Sequence, residues 1–272
     1  MIDVSLLLAC TAALCALAFA LWRRLRGPAG GRGRAAVRLA VATLAAAVIV
    51  LPGAWQLSKH PRVQLLGQPV VRVDTERKRV ALTLDDGPSR EYTDEVLAIL
   101  RQHQARATFF VTGAELARNP DLGRAIVGNG HELGNHSYSH TRMIGSSLAF
   151  IADEIERTDG LIRAAGHTGP IYFRPPFGKK LLALPYYLDR HDRVSVHWDV
   201  APEASLGPAA TPDDIVTHVI ERTQPGSIIL MHVMYPGRDS SRRALPGVIT
   251  GLRARGYELV PLSELLPSPD DA

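Results

Sequence analysis

The run Thr83-Leu84-Asp85-Asp86-Gly87-Pro88 constrains this chain most. Before it, Val80-Ala81-Leu82-Thr83-Leu84 is apolar and β-prone, the pattern of a buried strand. After it, Gly87-Pro88 forces a turn. Two adjacent carboxylates therefore stand where a buried strand opens into a loop. Neighbours on a strand point to opposite sides, so leaving the strand here lets both aim at one place. Carboxylates this close repel unless something positive separates them, such as a metal ion or an arginine. Taken alone, the run reads equally well as an ordinary acidic turn.

From Val80 onward, short apolar runs alternate with helical patterns. Strands are expected at 80–84, 107–111, 131–135, 171–173, 193–199, 226–231 and 257–261. Helices are expected at 91–104, 122–127, 147–165, 180–188 and 243–255, with a short one near Leu266. A further helix starts at Thr211-Pro212-Asp213-Asp214, where Thr211 can cap, Pro212 suits the first helical position and the acids complement the dipole. Repeated alternation implies a parallel sheet with helices outside. About seven units favour an incomplete or distorted β/α barrel over an open sheet, and in such barrels chemistry sits at the C-terminal strand ends.

The first 58 residues have a different character. Val4 to Trp22 and Leu39 to Ser58 carry no charged side chain, and each is about as long as a helix crossing a hydrocarbon core. Between them lies a basic, glycine-rich loop, and arginine near span ends favours the cytoplasmic side. The expectation is a two-helix hairpin anchor in the cell (inner) membrane, with everything after Ser58 outside the cytoplasm. A cleaved signal peptide is the other reading of the first span, but only Asp3 precedes it where a basic start is usual. Leu7-Leu8-Ala9-Cys10 loosely resembles a lipoprotein cleavage box, again without a basic start.

The formal net charge of +4 comes from arginines 23, 24, 26, 32, 34 and 38; the rest is near neutral. The high isoelectric point is thus no reason to invoke nucleic acid. Both cysteines, Cys10 and Cys15, lie inside the first span, so the remainder has neither disulfides nor thiolate metal sites. The expected organisation is a hairpin over 1–58, a polar tether over 59–78 with some strand character at Val70-Val71-Arg72-Val73, a catalytic domain over 79–266 and a tail over 267–272.

Polar clusters fall at the predicted strand ends. Asp85-Asp86, His136-Ser137-Tyr138-Ser139-His140, Arg174-Pro175-Pro176-Phe177-Gly178, Trp198-Asp199 and His232 each close a strand. A single histidine is ordinarily a surface or hydrogen-bonded core residue, and five clusters at five strand ends are hard to leave to chance. His136 and His140 are candidate metal ligands, since imidazole suits Zn²⁺ and other first-row ions. The rival reading, a helical surface pair at i and i+4, is weakened by Gly134-Asn135 and the Ser-Tyr-Ser filling. Two histidines and a carboxylate with open positions make a catalytic type of site.

Residues 79–266 resemble the NodB-type polysaccharide deacetylase family, carbohydrate esterase family 4. The family's Thr-Phe-Asp-Asp-Gly-Pro appears as Thr83 to Pro88 with Leu84 for Phe. Its His-Ser/Thr-x-x-His appears as His136 to His140, its Arg-x-Pro-Phe/Tyr as Arg174 to Phe177, and its Leu-x-His as Leu230-Met231-His232. The resemblance implies a NodB-type distorted (β/α)7 barrel and a divalent metal, most simply zinc, held by Asp86, His136 and His140. It implies Asp85 as general base, Arg174 orienting it, His232 as general acid and Leu230 lining an acetyl pocket. Phe177 and Trp198 join Leu230 as candidate substrate contacts.

One motif departs. The family places an Asp, often before Trp, where it supports the catalytic histidine. Here Trp198 is followed by Asp199-Val200-Ala201-Pro202-Glu203-Ala204-Ser205, leaving Glu203 and Asp199 as candidates, and Tyr235, Arg238 and Arg242 as candidates for the missing wall. The expected function is removal of N-acetyl groups from a polysaccharide or other glycan outside the cytoplasm. A lipid-linked sugar at the bilayer face and non-catalytic glycan binding are the alternatives.

Overall fold

The computed structural model describes residues 39–43, 64 and 66–266. Spatially the chain divides into Met1–Lys59 and His60–Ala272. The two predicted spans lie almost wholly outside the described residues, and among those described no helix is long and apolar enough to cross a membrane.

In the second unit five parallel strands form the sheet. They are β1 (Arg79–Asp85), β2 (Thr108–Val111), β3 (Glu132–Asn135), β4 (Ile228–His232) and β5 (Glu258–Leu259). The order is β3-β2-β1-β4, and β5 pairs with the start of β1. Single bridges continue the path from Asn135 to Phe173 and from Phe173 to Ser195, and Val200 bridges back to Ile229 beside β1. Nine helices are described in this unit: α1 (Thr93–Gln102), α2 (Gly113–Arg118), α3 (Pro120–Gly128), α4 (Leu148–Ala164), α5 (Ala183–Arg190), α6 (Pro202–Leu206), α7 (Pro212–Arg222), α8 (Asp239–Ala254) and α9 (Leu262–Leu265).

Alternation along β1 sorts its two faces. Val80, Leu82 and Leu84 join a large cluster with Val96, Leu100, Val219 and Val248 from the covering helices. Ala81 points the other way, into a second cluster with Phe110, Val196 and Ile228. Thr83 and Asp85 continue that inner face by period two. The register pairs Thr83 with Leu230 and Asp85 with His232 across β1 and β4. An acid and a histidine from distant sequence thus become cross-strand neighbours.

Three expectations are corrected. The strands anticipated at 171–173 and 193–199 reduce to bridges at Phe173, Ser195 and Val196. Pro170, Pro175 and Pro176 remove ladder donors around the first, while the second changes partners along its length, from Phe173 and Val70 to Ile229. The helix anticipated over 180–188 begins only at Ala183. The stretch read as a tether also contributes to the fold. Val70 bridges Val196, Arg72 bridges Ser227, and Val70 and Val73 pack on the inner cluster. The strand character of Val70-Val71-Arg72-Val73 is thus realised as single bridges, with Val70 and Val73 burying apolar surface. Helices α2 and α6 were not anticipated; α6 nevertheless runs from Pro202 to a Gly207 with φ 81°, an ordinary start and stop.

Gly134 on β3 tolerates no side chain. A Cβ there would sit 2.6 Å from the Phe110 ring, and that ring lies 4.0 Å beneath the Arg174 guanidinium. The glycine therefore sets the floor of the site.

Candidate active site

Arg174 is the centre of the arrangement. Its side chain is fully buried, and burial lowers its pKa, with Asp85 acting in the opposite direction. One Nη1 donates to Asp85 Oδ1 at 2.5 Å and to Thr83 Oγ1 at 2.8 Å. Nε donates to the Val196 carbonyl at 3.2 Å and Nη2 to the His197 carbonyl at 3.0 Å. Thr83 in turn donates to the Ile229 carbonyl at 2.7 Å. A guanidinium held on every side fixes one oxygen of Asp85 and leaves Oδ2 facing His136 Nε2 at 3.6 Å.

The Arg174 main chain acts as well. Its carbonyl lies 2.7 Å from His136 Nδ1. A carbonyl only accepts, so Nδ1 carries the proton and Nε2 keeps its lone pair toward Asp86, 3.8 Å away. His140 Nε2 lies 3.4 Å from Asp86 Oδ1. Burial and the neighbouring His136 lower the pKa of His140, against the opposing pull of Asp86 and Asp85. It is thus biased toward the neutral form that ligates. Asp86, His136 and His140 each present one ligand atom, all within 4.8 Å of one another. The donor set and the His136 tautomer fit a divalent cation.

The loop carrying the histidines is held by side chains. Asn135 Oδ1 accepts from the Ser137 N–H at 2.8 Å, Ser137 Oγ from the His140 N–H at 3.1 Å, and Glu154 Oε2 from the Ser139 N–H at 2.8 Å. Asp86 (φ 69°), Ser137 (64°), His140 (57°) and Phe177 (59°) all have positive φ. Four non-glycine residues in the left-handed region at one place is strain of the sort that collects at functional sites. The His-x-x-x-His spacing gave no sign that Asn135, Ser137 and Glu154 would set this loop.

His232 stands at the end of β4. Glu203, on α6, approaches it at 4.0 Å from Oε2 to Nδ1, an ion pair rather than a hydrogen bond. Glu203 Oε1 accepts from the His232 backbone N–H and from Ser241 Oγ, each at 2.9 Å. Burial alone would lower His232, but Glu203, Asp85 and Asp86 outweigh it and hold the imidazole above its ordinary value. Burial would likewise raise Glu203; His232 and its N–H bring it below the usual carboxylate range. Asp199, the other candidate, is corrected. It accepts from Ser227 Oγ at 2.8 Å and the Ile228 N–H at 2.9 Å, and faces a polar cavity with Arg72, His218 and Arg222. One turn earlier in the chain, it is directed at the backbone of β4 and not at the histidine.

A cleft of about 610 Å³ opens at Asp86 and His140, lined also by Tyr138, Phe177, Met234 and Tyr235 among others. Phe177 is half exposed, with its ring 4.6 Å from His140 and Arg142 4.7 Å over it. Leu230 and Trp198 are not among the lining residues. Leu230 is buried one inward step below His232 on β4, and Trp198 packs 3.0 Å from where a Gly178 Cβ would stand and 5.6 Å from the Arg174 guanidinium.

A carboxylate fixed by a buried arginine, an Asp-His-His cluster and a carboxylate-held histidine, gathered at the C-terminal ends of parallel strands, point to the class of hydrolases built on a parallel sheet with helices outside. Known proteins make the class specific. The model of the polysaccharide deacetylase family matches residues 72–192. A chitooligosaccharide deacetylase of Bradyrhizobium sp. (strain ANU 289) is 35% identical over 200 residues, spanning 69% of this chain and 90% of the relative. A solved peptidoglycan N-acetylglucosamine deacetylase superposes with a TM-score of 0.69 at 29% identity, over 75% of this chain and 94% of that one. A family 4 carbohydrate esterase pseudoenzyme from Bacillus anthracis gives 0.66 at 31%, over 75% and 70%. The chain belongs to the polysaccharide deacetylase family, and as such is a hydrolase of carbon–nitrogen bonds other than peptide bonds.

Proposed function

We propose that this chain is a divalent-metal-dependent N-deacetylase of an N-acetylated glycan, with zinc as the resident ion. The observation that carries the reading is the convergence of Asp86, His136 and His140 within 4.8 Å directly beside the Arg174-fixed Asp85. A divalent ion bound there supplies Lewis acidity for the acetamide carbonyl and for the attacking water.

The chain's own residues do the rest. Asp85, with Oδ1 on Arg174, offers Oδ2 as the base that takes a proton from water. Water oxygen adds to the acetyl carbon, the C–N bond breaks, acetate leaves, and the amine nitrogen takes a proton from His232. Each such proton transfer typically contributes about 10²–10⁴ in rate. The barrel supports this by placing acid and base on adjoining strands, Asp85 opposite His232.

Acetate release from chitin oligomers or peptidoglycan is expected to vanish on chelation and return with added zinc. Activity that survives exhaustive chelation, with no bound metal by elemental analysis, sinks the metal reading. One solved relative is a pseudoenzyme, so turnover and metal content need measuring together.

His232 must be protonated to donate. Because its neighbours raise its pKa, the protonated form extends above the ordinary histidine range, and activity falls as pH rises through the raised value. Removing the Glu203 charge lowers that value. Glu203→Gln should therefore move the alkaline limb of the kcat profile to lower pH. An unmoved limb would take the tuning role from Glu203.

We further propose that the catalytic unit acts outside the cytoplasm, tethered by the uncharged stretches 4–22 and 39–58. Hydropathy and the arginines between them support this. Membrane fractionation with protease access to a C-terminal tag tests it; a tag protected in intact spheroplasts would overturn it.

A further inference from the structure

Tyr235 is not used by the chemistry, yet it is held more firmly than a surface tyrosine needs to be. Its phenol oxygen accepts from Arg238 Nη2 at 2.9 Å, and that guanidinium lies 5.1 Å from the ring centroid. Its carbonyl accepts from Arg242 Nη1 at 3.1 Å, and the same Nη1 reaches the Val233 carbonyl at 3.1 Å. Arg242 is almost wholly buried, lies 3.7 Å over the Tyr92 ring and pairs with Asp239 and Glu95. The preceding residue, Met234, is fully buried and fills the space beside Gly87, where a Cβ would come within 3.0 Å of it. The loop after β4 is thereby seated directly on the Asp86-Gly87 turn.

The held ring stands in a telling place. It lines the cleft together with Asp86, His140 and Phe177, and meets the His232 ring edge-on, with centroids 6.5 Å apart and planes at 85°. Helix α6, which supplies Glu203, carries no aromatic residue. The cleft thus has aromatic surface from three separate loops, Tyr138, Phe177 and Tyr235, each with an arginine guanidinium against its ring. Among the described ion pairs neither Arg142 nor Arg238 has a carboxylate partner. A rigid aromatic face with a polar tip offers contact area at low ordering cost, and the C–H face of a pyranose is a surface that matches it.

We propose that Tyr235 is a specificity-determining residue that stacks on a sugar ring of an oligomeric glycan. The proposal rests on the deacetylase reading for its substrate class. It gives Tyr235 a share in binding and none in proton transfer.

The test compares zinc-loaded wild type, Tyr235→Ala and Tyr235→Phe on chitin tetramer and on 4-nitrophenyl acetate, which has no sugar. Tyr235→Ala should raise KM for the tetramer about tenfold, far more than it changes turnover of the aryl ester, and Tyr235→Phe should recover most of the loss. Calorimetric titration of Asp85→Asn with tetramer, with and without Tyr235→Ala, reads the wall without turnover. An unchanged KM and Kd in Tyr235→Ala overturns the proposal. So does an equal loss on both substrates, which would make Tyr235 only a prop for His232. If wild type releases no acetate while Tyr235→Ala still weakens binding to Asp85→Asn, the deacetylase reading fails and the wall stands.

Discussion

Asp85→Asn should reduce acetate release by about a thousandfold, within the span that a single general base supplies, and leave bound metal in place. The asparagine keeps an oxygen to accept from Arg174, whose 2.5 Å hydrogen bond goes to Oδ1. It cannot take a proton from water. The cation's proposed ligands are Asp86, His136 and His140, so stoichiometric zinc by elemental analysis and an unchanged circular dichroism spectrum are expected beside the lost turnover. A variant that keeps more than a tenth of wild-type kcat removes Asp85 from the role of base. One that loses zinc assigns Asp85 to the metal instead.

Arg174→Met should be the most destabilising single change at the site. The guanidinium is fully buried and serves Thr83, Asp85 and the carbonyls of Val196 and His197. Breaking a buried pair by removing one member typically costs about 3–5 kcal/mol, because the other charge is left without compensation. Urea unfolding should show the midpoint falling by the corresponding amount at constant m. Adding Asp85→Asn to Arg174→Met should restore part of the loss, since the stranded charge is then gone. A loss under about 1 kcal/mol, or no recovery in the double variant, would show that water reaches the pair and screens it. Activity should fall in Arg174→Met too, because the base is no longer held to one orientation.

How much of this was legible beforehand depends on what kind of signal each part leaves. The strands β1 and β4 are continuous apolar runs, and their polar ends mark Asp85, Asp86 and His232 directly. The helix beginning at Pro212 carried its own start signal, and Thr211 does form the reciprocal cap with Asp214. Phe173 and Ser195 are less readable. They meet their neighbours through single bridges, and a one-residue contact leaves no periodicity. Val70 to Val73 shows strand character in sequence but not its partners, Val196 and Ser227, which lie far along the chain. The carboxylate beside His232 was narrowed to Asp199 or Glu203 and no further, because spacing alone does not say which end of β4 each one meets. The structure separates them: Asp199 accepts from the Ser227 hydroxyl and the Ile228 N–H, and Glu203 reaches His232 from α6. The left-handed backbone at Asp86, His140 and Phe177 was invisible, since none of these is a glycine.

Arg174 touches the two halves of the site by different means, side chain to Asp85 and main-chain oxygen to His136. The spacing between Asp85 and His136 is therefore written into one residue, and replacing the guanidinium alters the first contact without untying the second. Engineering that seeks to vary the gap itself would have to bend the polypeptide at Pro175-Pro176, where two rings in succession resist it. The main-chain half of the arrangement, the Arg174 carbonyl on His136 Nδ1, thus does not depend on which side chain stands at position 174.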